Sequence, residues 1–299
     1  MPPNSTPSRL RALGSLLRPH QWLKNTFVLN GILFAHEWNN PTLLRSACIA
    51  TGAFCLTSSA LYAFNDLHDV EMDRLHPVKS QRPLPAGHLP RHWAQGAAWV
   101  LTIAGFAIGA LASFRVVGFL AAYLVIGFLY TVKLKRVVIL DVFGIAAGFM
   151  LRLLAGTTGI GIPPSHWLLF CGLMLTIFLA SAKRWAEISG VKTVSDQRPV
   201  LAQYFPLLLD KMMTISATAA LMSYSLYTIS PETVAKYKTP DLMYTVPFVA
   251  YGLFRYIYLM YRGGGVDIAL DLVKDKHLWA TFLIWLASVF ILTRQITNP

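Results

Sequence analysis

Apolar segments of membrane-crossing length dominate the chain, which limits it to structures that satisfy their own backbone hydrogen bonds. Nine such segments run roughly 22–36, 43–65, 93–114, 116–132, 138–160, 165–182, 212–230, 243–261 and 278–293. Each is long enough, or nearly so, to cross a bilayer as a helix; the first is short and is predicted to begin nearer Leu16. Charged residues make up 13% of the chain and hydrophobic ones 55%, against about 25% charged in soluble domains. The expected fold class is therefore all-α, a polytopic membrane protein. No linker divides the chain and no repeat stands out, so residues 16–299 read as a single transmembrane domain. Residues 1–8 are polar and proline-rich, and the stretch 1–15 is expected to be a disordered tail. The first apolar segment has no small-residue cleavage site and runs on into further helices, so no cleavable signal is expected.

The net charge of +12 raises nucleic acid as a partner, but the distribution of that charge argues against it. With the N-terminus in the cytoplasm, the outer loops carry only Arg45, Arg115, Lys236, Lys238 and Arg294, and nearly all other cations lie inside. This is the positive-inside asymmetry. It predicts a multi-pass protein of the plasma (inner) membrane with a cytoplasmic N-terminus. The acidic residues gather on the same side, leaving Glu37, Glu232 and Asp241 outside, so the active site is expected at the cytoplasmic end. Cys48, Cys55 and Cys171 fall in apolar helices at spacings that match no metal motif or disulfide framework.

The most informative stretch is Asn65-Asp66-Leu67-His68-Asp69-Val70-Glu71-Met72-Asp73. Asp66, Asp69 and Asp73 stand at i, i+3 and i+7, one face of a helix. Like charges on one face repel, and a cation relieves that repulsion. Few-carboxylate oxygen sites suit Mg²⁺, which is usually shared with substrate phosphates. His68 tunes a carboxylate, contacts substrate or, the plainer reading, fills a solvated position. The following His76-Pro77-Val78-Lys79-Ser80-Gln81-Arg82-Pro83-Leu84-Pro85-Ala86-Gly87 is stiffened by its prolines. It can hold Lys79 and Arg82 against the carboxylates, the charge layout for a diphosphate leaving group; a snorkelling positive-inside loop is the plainer reading.

Other polar residues are less decisive. Asp141 and Arg152 both lie within an apolar run, where an ionisable residue is functional or paired; they share a face but stand too far apart to pair directly. Lys183-Arg184-Trp185-Ala186-Glu187 puts two cations at a helix exit, suited to a phosphate, while Lys183 and Glu187 can also pair at i, i+4. Arg18-Pro19-His20-Gln21-Trp22-Leu23-Lys24-Asn25 opens the first apolar segment, with Trp22 suited to an interfacial belt and Lys24 and Asn25 facing headgroups or the site. Gly263-Gly264-Gly265 reads as a flexible loop and lacks the Lys-Ser/Thr ending of a P-loop.

At these residues the chain resembles the UbiA superfamily of intramembrane prenyltransferases. The family's N-D-x-x-D-x-x-x-D motif is matched by Asn65, Asp66, Asp69 and Asp73, and its lysine and R-P-L extension by Lys79 and Arg82-Pro83-Leu84. Tyr130, Lys135, Arg136, Asp141, Arg152 and Ala155-Gly156 are similarly placed. The resemblance implies nine transmembrane helices around a central cavity open to the cytoplasmic face and laterally to lipid. The second aspartate motif of typical members, D-x-x-x-D, is missing; the corresponding loop has Lys183, Arg184 and Glu187, with Asp196 alone beyond them. In that respect, and in its R-P-x-Q-W-x-K-N opening, the chain looks like the branch that transfers phosphoribose to decaprenyl phosphate.

That branch implies transfer of 5-phosphoribose from 5-phosphoribose 1-diphosphate to a polyprenyl (decaprenyl-type) monophosphate, a step in cell-wall precursor synthesis. Asp66, Asp69 and Asp73 would hold Mg²⁺, with Lys79 and Arg82 as the electrostatic clamp. Lys24, Asn25, Asn65, Tyr130, Lys135, Arg136, Asp141, Arg152, Lys183, Arg184 and Glu187 would line the substrate sites. The expected partners are the polyprenyl phosphate, the sugar diphosphate and the bilayer, with homo-oligomerisation left open. The alternative within the superfamily is a polyprenyl-diphosphate transferase acting on an aromatic acceptor.

Overall fold

The structure is a computed structural model that describes residues 9–35, 37–75, 79–189, 200–262 and 274–293. The stretch 1–8, the tripeptide His76-Pro77-Val78, Asp196 and Gly263-Gly264-Gly265 lie outside the described residues. Regular structure among the described residues is entirely helical. Twelve α-helices follow in order: α1 Arg9–Leu17, α2 Asn30–Ala35, α3 Pro41–His68, α4 Val70–Arg74, α5 Arg91–Ala112, α6 Phe114–Val132, α7 Leu140–Ala155, α8 His166–Ser189, α9 Pro206–Ile229, α10 Pro231–Tyr237, α11 Val246–Tyr261 and α12 Lys276–Thr293.

Six of the described helical stretches are long and apolar enough to cross a membrane: Pro41–His68, Arg91–Ala112, Phe114–Arg136, Leu140–Ile160, His166–Ser189 and Lys276–Thr293. Three of the nine predicted segments differ from a long apolar helix. The first is a 3₁₀ run, Pro19–Leu29, followed by the short α2. Its Gln21, Lys24, Asn25 and Asn30 bring polar side chains to every turn. The segments near 212–230 and 243–261 do form α9 and α11, but serines and threonines dilute the first and the second has 16 residues. The tail expected over 1–15 is also corrected: from Arg9 onward it is helical, with Ala12 and Leu16 buried. Those two apolar residues, four apart, give α1 a face to bury.

The chain divides into two compact units. The first takes the described residues up to Val137 together with Ala147–Pro164. In it α3 packs along α5, and both meet α6. Ala47, Ala50 and Ala53 recur along α3 with no exposure, and small residues of this kind let helix backbones approach closely in lipid. Phe54, Leu61, Leu120 and Tyr123 fill the space between. The 3₁₀ run lies against α3 and is stitched to it by side chains. Trp22 Nε1 donates to Ser59 Oγ at 3.0 Å, and Ser59 Oγ donates to the carbonyl of Leu17 at 2.8 Å. Trp22 thus spends its one donor on α3. At Gly156 the run touches backbone to backbone: a Cβ there would overlap the carbonyl of Val28, and one on Gly31 would overlap that of Gly156.

The second unit takes Val138–Ala146 and the described residues from Ser165. Here α8 packs on α9, α9 on α11 and α11 on α12. Phe178, Met213, Tyr256 and Met260 form one apolar cluster. Val142, Ala146, Ile177, Leu201, Tyr204 and Leu209 belong to another. Large apolar side chains face outward elsewhere, as at Phe114, 86% exposed, and Phe254, 67%. Such surfaces are rare on soluble monomers and suit lipid.

Gly156→Ala should lower the unfolding temperature in detergent, at a cost of about 1–3 kcal/mol for overpacking. Gly118→Ala, with open space around its Cβ position, should leave stability unchanged or raise it. Thermal unfolding of the two variants side by side checks the contrast.

Candidate active site

The acidic motif sits where α3 ends. Asp69 closes that helix with φ −95° and ψ 7°, and α4 starts one residue later. Helical hydrogen bonds span the junction, Asp69 N to Asn65 O at 2.9 Å and Asp73 N to Asp69 O at 2.8 Å, and Asp66 and Asp73 still share a partner while Asp69 has its own. Asp66, in the last turn of α3, and Asp73, in α4, are both buried, at 3% and 4% exposure. Both bind one guanidinium: Arg82 Nη1 lies 3.3 Å from Asp66 Oδ1 and 2.6 Å from Asp73 Oδ2. Lys79 Nζ stands 3.9 Å from Asp73 Oδ1, and Arg18 Nη2 donates to Asp66 Oδ1.

The loop delivers Arg82 through its own packing. Leu84 and Leu89 insert into a small core with Ala12, Leu16, Ala63, Val70 and Ala94. The turn is closed by Arg82 N to Lys79 O at 3.0 Å and Ala86 N to Arg82 O at 2.9 Å. Gly87 at φ +75° takes a conformation that favours glycine. The R-P-L extension is thus an anchor (Leu84) next to a charge (Arg82).

Asp69 has separate partners. Its carboxylate accepts from Lys135 Nζ at 2.8 and 2.7 Å, and His68 Nδ1 lies 2.8 Å from Oδ1. Burial opposes ionisation of Asp69, but the hydrogen bonds from Lys135 and His68 outweigh it and hold its carboxyl below the ordinary value. His68 therefore serves a carboxylate. Among the described residues, no group of three or more His, Cys, Asp or Glu side chains is arranged to hold a metal ion. Asn65 beside the motif accepts from Thr131 Oγ1. Tyr130 is half-buried and Arg136 exposed, on either side of Lys135.

A second polar cluster in the first unit centres on Arg152, which is 5% exposed. Its Nε donates to Asn25 Oδ1 at 2.8 Å, its Nη1 to Gly148 O at 2.8 Å and its Nη2 to the hydroxyl of Tyr123 at 2.9 Å. The guanidinium also lies over the rings of Tyr123, Phe149 and Phe54 at 4.7, 5.4 and 5.8 Å. Asn25, itself fully buried, donates to Ser58 Oγ at 3.1 Å. Lys24 is half-buried and donates to Gln21 Oε1. This cluster ties the 3₁₀ run to α3, α6 and α7.

The second unit carries its own buried ion pair. Arg184 and Asp141 are both fully buried, with Nε 2.6 Å from Asp141 Oδ2. Arg184 Nη1 also pairs with Glu187 one turn on. Tyr204 donates its hydroxyl hydrogen to Asp141 Oδ1 and accepts from Ile139 N at 2.7 Å. Burial, followed by the hydrogen bond to Asp141, pushes the Tyr204 hydroxyl well above its usual value, so it stays a donor. Ile139 has φ +70°, a strained setting for a β-branched residue; the Tyr204 bond to its N–H helps hold it. Lys183 beside Arg184 is half-buried and has partners within the fold.

Spacing alone could not reveal Arg18, Thr131, Tyr123 and Tyr204 as members of these clusters. Arg18 meets Asp66 across 48 residues of sequence, and Tyr204 meets Asp141 across 63. Arg18 did carry a signal, its place in the R-P-x-Q-W-x-K-N stretch.

Removing one partner of a buried pair leaves the other charge stranded. Asp141→Leu or Arg184→Met alone should destabilise the detergent-solubilised protein by about 3–5 kcal/mol. The double variant should recover a large part of that loss, which a double-mutant cycle on thermal unfolding measures.

Likeness to known proteins extends over most of the chain. Residues 26–272 match the UbiA prenyltransferase family. The decaprenyl-phosphate phosphoribosyltransferase of Mycolicibacterium smegmatis is 31% identical over 287 residues, covering 91% of this chain and 89% of its own length. The enzyme of the same name from Corynebacterium glutamicum is 37% identical over 217 residues, 71% of this chain and 65% of its own. Among solved structures, a UbiA homolog from Archaeoglobus fulgidus bound to DMAPP and Mg²⁺ shares the fold with a TM-score of 0.71 at 17% identity, over 94% of this chain and 99% of that one. A match through 26–272, with these likenesses along most of the chain, shows that the protein belongs to the UbiA prenyltransferase family.

Proposed function

We propose that this transferase moves a 5-phosphoribosyl group from 5-phosphoribose 1-diphosphate to a polyprenyl monophosphate of decaprenyl type, with Mg²⁺ and release of diphosphate. The observation that carries the reading is the likeness, over most of the chain, to proteins named decaprenyl-phosphate phosphoribosyltransferase. The family match includes residues of both units, which supports treating 16–299 as one UbiA-like domain. The positive-inside asymmetry supports nine crossings of the plasma membrane, with the N-terminus and an open site on the cytoplasmic side.

The residues fit the implied metal in part. Asp66 and Asp73 already converge on one cation, Arg82, and their hard oxygens suit Mg²⁺. Asp69 completes the set only by leaving Lys135. When bound, the metal neutralises charge that builds on the departing diphosphate. Lys79 would stabilise the same charge, as would Arg82 once it passes from the two carboxylates, where it sits in the free protein, to the diphosphate. The bond from the anomeric carbon to the diphosphate oxygen breaks and its electron pair leaves with the diphosphate. The carbon gains oxocarbenium character, as in other glycosyl transfers, and an oxygen of the lipid phosphate forms the new bond. That oxygen is already ionised at neutral pH, so no strong base is needed.

The remaining residues divide by burial. For Asn65, Tyr130, Lys135, Arg136 and Lys24 in the first unit, and separately for Lys183 and Glu187 in the second, we propose contacts to substrate phosphate or ribose. Asn25, Asp141, Arg152 and Arg184 are buried and bonded to protein groups; to Asn25 and Arg152 we assign support of the first unit, and to Asp141 and Arg184 support of the second.

Purified protein with Mg²⁺ should transfer labelled ribose phosphate from the donor to decaprenyl phosphate. No labelled lipid, together with prenylation of an aromatic acid from a prenyl diphosphate, would overturn the reading in favour of ordinary prenyl transfer. Asp73→Asn should lower turnover by at least a hundredfold, the order of loss expected when one electrostatic element of a preorganised site is removed. Size-exclusion elution and thermal unfolding of the variant show whether its fold is intact.

A further inference from the structure

We infer that Arg18 belongs to the donor site, as an internal counter-ion of Asp66 that couples divalent-metal binding to diphosphate binding. The metal then enters together with the diphosphate and not ahead of it. The inference rests on reading Asp66 and Asp73 as metal ligands.

The charges of these two carboxylates are already answered from within the chain. Asp66 Oδ1 receives both Arg18 and Arg82, and Asp73 receives Arg82 and faces Lys79. Three cations therefore serve two carboxylates. A divalent ion arriving alone must displace guanidinium groups that, among the described residues, pair with no other carboxylate, and like charges at such range repel strongly away from bulk water. A diphosphate brings the missing negative charge. Arginine pairs with phosphate oxygens at least as well as with carboxylate, so the displaced groups can pass to the donor as the metal takes the aspartates. Binding coupled in this way is reciprocal.

Arg18 is built into this position and is not a drifting surface cation. Its backbone is left-handed, φ 51° and ψ 58°, uncommon for a residue with a side chain. Both flanks meet one residue of α3: Ser59 Oγ lies 2.8 Å from Leu17 O, sharing its hydrogen with Cys55 O of its own helix, and accepts from Trp22 Nε1 at 3.0 Å. The guanidinium lies 5.3 Å from the ring centroid of Tyr62. Ser59, Tyr62 and Asp66 follow at i, i+3 and i+7, one face of α3. That single face holds the strained turn, cradles the guanidinium and supplies its carboxylate. The Arg18 side chain keeps 21% exposure against 4% for Asp66, so an incoming anion can reach the arginine.

The test uses the full chain in detergent, with Mn²⁺ as the metal probe and inorganic diphosphate as the anion, so it involves neither ribose nor lipid. Bound Mn²⁺ is read by electron paramagnetic resonance, corrected for the Mn²⁺–diphosphate complex in free solution. Diphosphate should tighten Mn²⁺ binding on the order of tenfold, a usual coupling between sites. Arg18→Gln should bind Mn²⁺ alone more tightly and lose most of that coupling, while Arg18→Lys should retain part of it. Arg91→Gln, which removes an exposed cation paired with Glu71, should behave as the unmodified protein. Mn²⁺ binding as tight without diphosphate as with it, in the unmodified chain, would overturn the inference whether or not any variant folds. Unchanged coupling in Arg18→Gln would overturn the role of Arg18. Loss of phosphoribosyl transfer with coupling intact would instead count against the donor and acceptor proposed above.

Discussion

Two carboxylates buried at the end of a membrane helix set the terms for the rest of the site. Asp66 and Asp73 are nearly inaccessible, and burying an unpaired charge is among the most unfavourable things a fold can do. They persist because Arg82 bridges them and because Arg18 and Lys79 add charge from either side. Each of those cations needs its own scaffold. Leu84 and Leu89 anchor the loop that carries Arg82, and α1 packs its apolar face on that anchor. Ser59 and Trp22 hold the turn that carries Arg18. The N-terminal run and the loop after α4 are both explained as supports for a charge in a place where water cannot supply one.

The other buried charges follow the same rule with different partners. Arg184 is answered by Asp141 and Glu187, and Asp141 gains a further donor in Tyr204. Arg152 is held by three hydrogen bonds and three aromatic rings, a setting in which a delocalised guanidinium is favoured over a compact ammonium. These pairs lock neighbouring helices in register. They also explain why residues that look like substrate ligands in the sequence are turned inward.

Much of this was legible in the residue order. The long apolar runs dictated helices, and α3, α5, α6, α7, α8 and α12 follow them. The pairing of Lys79 and Arg82 with the aspartates was readable because those residues are close in sequence. The separate partner of Asp69 was not, since Lys135 lies 66 residues further along the sequence. That the first apolar segment forms a 3₁₀ run and not a long helix was not legible either: its side chains bond to α3, and only the folded chain shows that. Arg18 and Tyr204 were hidden by distance along the sequence, as contacts between remote segments always are without a second source of information.

The central claim is that the Asp66–Asp73 pair, held by exchangeable arginines, is the seat of a metal-bound sugar diphosphate. A structure of the protein with Mg²⁺ and an unreactive analogue of 5-phosphoribose 1-diphosphate tests it most directly. The account predicts the diphosphate beside Asp66 and Asp73 with the metal between them, Arg18 and Arg82 turned from the carboxylates to the phosphate oxygens, and the phosphoribosyl group leading away. An analogue bound elsewhere, or bound with both arginines still seated on the aspartates, would contradict it.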